Sequence, residues 1–80
     1  MNRELCVLWH EHSCELEVRR PNGQRIIFRT PQLLAGSHQV FEVGVSGQDV
    51  WALTGPQHNR RPTRRHYYTQ TGLYRGSRAL

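Results

Sequence analysis

Apolar and charged residues alternate along residues 14–20, Cys-Glu-Leu-Glu-Val-Arg-Arg, and again along residues 25–30, Arg-Ile-Ile-Phe-Arg-Thr. A period of two places successive side chains on opposite faces, so each run predicts a half-buried strand. The intervening Arg20-Pro21-Asn22-Gly23-Gln24 predicts a reversal. Proline suits the first central position of a type I turn, and glycine suits the left-handed position that follows. A three-residue loop pairs Val18 with Ile26, Leu16 with Phe28 and Cys14 with Thr30 on one face. Glu15 then meets Arg29, and Glu17 meets Ile27, on the other, which is expected to be solvated. A two-residue Asn-Gly loop would set Leu16 beside Arg29, so the hydrophobic pattern selects the three-residue loop.

Residues 40–54 predict a second hairpin around Ser46-Gly47-Gln48-Asp49, where Gly47 suits the first central position of a type II′ turn. The expected pairs are Val45–Val50, Val43–Ala52 and Phe41–Thr54, with the Trp51 indole covering Gly44, an arrangement that stabilises cross-strand glycines. Residues 5–10 are apolar on both faces and predict a further, central strand. A single helical turn is expected over residues 32–35, ended by Gly36. Pro56 and Pro62 bracket a polar linker. Residues 66–71 have strand propensity, and residues 72–80 read as frayed. The chain is therefore expected to be mainly β: a small antiparallel sheet, or an SH3-like or Sm-like barrel, of four to six short strands ending in a basic C-terminal strand or tail. Residues 1–56 form the β-rich body and residues 57–80 a basic segment of the same domain. An edge formed by residues 40–45 carries one charge, Glu42, and invites pairing with a second copy as a homodimer.

Composition sharpens this picture. Leu, Ile, Val and Phe together number 18 of 80 residues, enough for a core but a thin one, since a domain this short buries only about 60% of its unfolded surface. No apolar run reaches the length of a membrane span, and the apolar stretch near the N-terminus is too short for a secretion signal, so a cytoplasmic location is expected. Cys6 and Cys14 are then expected to be reduced thiols, although a bridge across a hairpin is sterically conceivable.

The charge is unevenly placed. All 11 cationic side chains are Arg, and none is Lys. Residues 1–56 carry five Arg against six acids, whereas residues 57–80 carry six Arg and no acid. A basic segment on a near-neutral body asks for an anionic partner.

Two constellations could carry chemistry. Cys6, His10, His12 and Cys14 are tetrahedral zinc ligands by type. In one extended strand they would spread over about 25 Å, at about 3.3 Å per residue, so the spacing favours core thiols and loop-tip histidines. The second constellation is Arg60, Arg61, Arg64, Arg65, His66, Tyr67 and Tyr68, continuing to Tyr74, Arg75 and Arg78. Arginine neutralises phosphate and stacks on bases, while tyrosine offers a flat face to an unpaired base. Interleaving the two is what single-stranded RNA or DNA binding requires. The expected function is a small nucleic-acid-binding module. The alternative is a protein-binding modulator or inhibitor, of a kind found in phages and other mobile elements, that docks on an acidic host protein surface. It would use Trp9, Trp51, Tyr67 and Tyr74 as exposed anchors. Nucleophile-elbow, phosphate-loop and zinc-helix motifs are absent, and no cofactor is expected. The one enzymatic reading, a metal-independent ribonuclease, would use His66 as acid/base with Arg64, Arg65 and Tyr67 or Tyr68.

Overall fold

A computed structural model describes residues 5–34 and 38–80. Among the described residues the chain forms seven strands: β1 (Cys6–His10), β2 (Glu15–Arg19), β3 (Arg25–Arg29), β4 (His38–Ser46), β5 (Asp49–Pro56), β6 (Arg64–Tyr68) and β7 (Tyr74–Ala79). They make two antiparallel meanders, a three-stranded sheet ordered β1-β2-β3 and a four-stranded sheet ordered β4-β5-β6-β7. The fold is mainly β, as the alternation predicts. The strands exceed the expected four to six, and the described residues form two open sheets rather than a closed barrel. A 3₁₀ turn, Pro31–Leu34, links the sheets. Gly36, the expected end of that turn, lies outside the described residues.

The first hairpin has the register the hydrophobic pattern demands, with Val18 opposite Ile26, Leu16 opposite Phe28, and Glu15 opposite Arg29. The Thr30 amide donates to the Cys14 carbonyl and continues the pairing. Gly23 has φ 90°, a conformation that would strain a side chain. The second hairpin pairs Val45 with Val50 and Val43 with Ala52. Its turn is led by Gly47 at φ 63°. The expected Phe41–Thr54 pair is corrected: Val40 faces Thr54 and Glu42 faces Leu53, leaving Phe41 as the extra residue of a bulge.

Leu16, Val18, Leu33, Val50, Ala52 and Tyr68 form the buried core between the sheets, flanked by Val7, Trp9, Ile26, Phe28 and Val43. β1 is an edge strand of its sheet, not a central one. One face, with Val7 and Trp9, meets the core, while on the other Cys6 is exposed; the strand also lies beside β4 of the other sheet.

Two further expectations change. Residues 72–80 do not fray. β7 pairs with β6 along its length, and the expected strand over residues 66–71 becomes β6 followed by a tight turn in which Thr69 N donates to the Leu73 carbonyl. The supposed tail is thus half of the four-stranded sheet. Glu17 lies on the outer face of its sheet yet is 1% exposed. The side chains of His10, Arg19 and Arg25 close over it, with Arg19 Nε donating at 2.6 Å and Arg25 Nε at 3.0 Å.

Candidate nucleic-acid interface

Strand alternation divides the basic segment between two faces. On the outer face of the four-stranded sheet, Gly44, Trp51, Tyr67 and Gly76 lie in one row across all four strands. Glu42, Leu53, Arg65 and Arg78 form the next row. Gly44 is required here because a Cβ would sit 2.8 Å from Trp51 Cε2. The indole therefore lies flat over the glycine, as expected from the sequence. The Arg65 guanidinium carbon stands 4.9 Å from the Trp51 ring centroid, and that of Arg78 stands 5.9 Å from the Tyr67 ring. Both are within reach of a cation–π attraction. The guanidinium group of Arg65, reinforced by the positive charge of Arg78, holds the Tyr67 phenol below its ordinary pKa. Two aromatic rings and two guanidinium groups thus share one half-exposed surface.

The inward face has a different character. Tyr68 is 1% exposed, and its hydroxyl donates to Gln32 Oε1 at 2.8 Å. Burial pushes its phenol pKa up. His66 is buried, with Nε2 3.0 Å from Thr54 Oγ1 and Nδ1 3.0 Å from the Tyr74 hydroxyl. Burial, then the charges of Arg64 and His38, lowers its pKa. With both ring nitrogens engaged, His66 is a core histidine. The structure sets it on the opposite face from Arg65 and Tyr67, so the residues of the ribonuclease reading do not converge. Tyr74 packs against Tyr68 at 5.2 Å between centroids.

Of the remaining arginines, Arg64 alternates to the His66 side of β6 and lines a depression with His38, Thr54 and His66, so it is not part of the outer face. Arg60 and Arg61 are exposed in the β5–β6 connection. Arg64 donates to Ser77 Oγ at 2.9 Å. At the other end, Arg75 approaches Asp49 at 3.5 Å. Of the expected exposed anchors, Trp9, Trp51 and Tyr67 are half-buried and Tyr74 is exposed. Trp9 belongs to the core periphery.

The Cys/His constellation does not gather. Residues 11–14 do reverse the chain, with Cys14 at φ 56°, but this carries Cys6 to the far end of the hairpin, opposite Arg19. His10 is engaged with Glu17 at 2.7 Å, and both cysteines are free thiols. No group of three or more metal-ligating side chains occurs among the described residues, and none of their helices is long and apolar enough to cross a membrane.

Sequence reasoning bounded the basic site by a stretch of chain and so left out Trp51, which reaches the face from β5. The signal was present in its predicted position over Gly44, which fixes the face it occupies. No family model, curated protein or solved structure matches this chain.

Proposed function

We propose that the outer face of the four-stranded sheet binds single-stranded nucleic acid. The observation that carries this reading is the pair of guanidinium–aromatic stacks, Arg65 on Trp51 and Arg78 on Tyr67, on one surface of a chain with net charge +5. Unpaired bases have two exposed π-faces, and a base laid on an aromatic or guanidinium plane gains about 1–3 kcal/mol. The arginines are already ordered on the rings, so less side-chain entropy is lost on binding. The face is a four-stranded sheet rather than the helix or two-stranded ribbon that a major groove admits, which favours an unpaired strand over B-form duplex.

The test is a titration of labelled single-stranded RNA, single-stranded DNA and duplex DNA at several salt concentrations. If Arg65, Arg75 and Arg78 each neutralise one phosphate, log K should fall with log[salt] at a slope of about −2, from about −0.7 per contact on a single strand. Arg65→Ala and Arg78→Ala should each shallow that slope by about 0.7. Tyr67→Ala should weaken binding about tenfold or more, the equivalent of one lost base stack. Absence of binding at low salt would refute the reading. Recovery of a single stoichiometric, nuclease-resistant protein complex in its place would establish the protein-modulator alternative.

A further inference from the structure

Beyond the aromatic row, the outer face runs into two adjoining depressions of about 320 Å³ each. The first lies beside Tyr67 and Arg78. The second lies where three hairpin turns meet and is lined by Arg20, Thr69, Gln70 and Thr71. Asp49 and Arg75 belong to both and form their common wall.

We propose that the two depressions form one track, in which Arg20 binds an additional phosphate of the same single strand and Asp49 acts as the competing anion that the strand displaces from Arg75. This inference rests on the proposed function and extends it to a part of the chain outside the basic segment.

Arg20 is the strongest element of the argument. It makes no ion pair among the described residues, so its charge is uncompensated. Its Nη1 donates to Gln24 Oε1 at 2.8 Å, which steadies the planar fork. Its Nε is buried and has no hydrogen-bond partner among the described residues, an unusual state for a buried donor. The guanidinium geometry matches phosphate oxygens in a bidentate arrangement. Around it the second depression presents hydroxyl and amide groups, with Asp49 as its acid. The Asp49–Arg75 contact, at 3.5 Å with both side chains partly exposed, is the kind of solvent-screened surface pair that contributes little. A phosphate can therefore replace the carboxylate at little cost, and the aspartate discourages anions that lack the contacts needed to displace it.

Binding of two oligonucleotides of one sequence tests the idea: one of about four nucleotides, near the lower limit for a small β-fold, and one of about ten. Arg20→Ala should weaken the longer strand several-fold and shallow its salt slope by about 0.7, leaving the shorter one unchanged. Arg20→Gln, which keeps a hydrogen-bonding side chain beside Gln24, should do the same and guards against a folding defect. Asp49→Asn should tighten the longer strand several-fold. Equal effects of Arg20→Ala at both lengths, no effect at either, or no gain from Asp49→Asn would overturn the track. Arg65→Ala and Arg78→Ala must weaken both lengths. If they do not, the proposed function itself fails, and that failure is read independently of Arg20.

Discussion

At the residue scale, the outer face depends on a contact between a missing side chain and a large one. Gly44 has no Cβ, and Trp51 fills that space with its indole. The indole is in turn the surface on which Arg65 rests. Gly44→Ala is therefore expected to destabilise the fold by about 1–3 kcal/mol through overpacking. It should also weaken nucleic-acid binding beyond that loss, because a tilted indole no longer supports Arg65. Urea denaturation and a binding titration on the same preparation measure the two effects. Unchanged affinity in a folded Gly44→Ala protein would show that the indole plane is not part of the site. The Trp51–Gly44 contact was legible from the sequence because hairpin register alone determines it. Glu17 was not. Alternation assigns it to the outer face, but nothing in a period of two says that two arginines and a histidine will close over that position.

At the element scale, legibility follows the turn chemistry. Pro21-Asn22-Gly23 identifies its hairpin unaided, and the pairing follows. Gln70-Thr71-Gly72 makes a turn with the same hydrogen bonds: Thr69 N to the Leu73 carbonyl, and Gly72 N to the Thr69 carbonyl, mirror Arg20 N to Gln24 and Gly23 N to Arg20. Lacking Pro and Asn, the same stretch reads in the sequence as strand followed by frayed chain. The glycine at position 72 is the available signal, since it occupies the place of Gly23, and in the structure it takes φ 100°. Recognising that turn changes what β6 and β7 are. Tyr68, at the end of β6, lies in the core, and β6 pairs with β5 over five residue pairs. A chain stopped at Pro56 should consequently fail to fold, losing strand ellipticity and dispersed amide resonances, rather than survive as a neutral body. A cooperative thermal transition in that truncated chain would show that the first five strands suffice. Charge-to-alanine variants of the whole chain are the sound route to testing the basic face.

At the scale of the whole molecule, two buried ionisable groups on different sheets set the response to acid, while the candidate binding face is indifferent to it. His66 is held below its ordinary value of 6.5 by burial and by Arg64 and His38. The unfolded chain binds the proton more readily, so its stabilisation is complete above about pH 6.5 and declines as pH falls below that value toward the folded one. Glu17 is held at about 2, against an ordinary 4.5, chiefly by the hydrogen bond from Arg19 and then by His10. Its stabilisation is complete above pH 4.5 and is lost as pH falls toward 2. Unfolding free energy should therefore decline over two windows as the solution is acidified. His66→Gln should flatten the upper window, and Glu17→Gln the lower. Binding should behave differently. The cations that face the proposed strand are guanidinium groups, which do not titrate in proteins, so the affinity of a short strand that does not reach Asp49 should be constant from about pH 8 down to the onset of unfolding. Measured side by side, a sloping stability curve and a flat affinity curve would assign His66 and Glu17 to the fold and the arginines to the ligand. An affinity that fell with the His66 window in a fully folded sample would mean that the buried histidine communicates with the outer face, and the division of β6 into a structural and a binding side would have to be withdrawn.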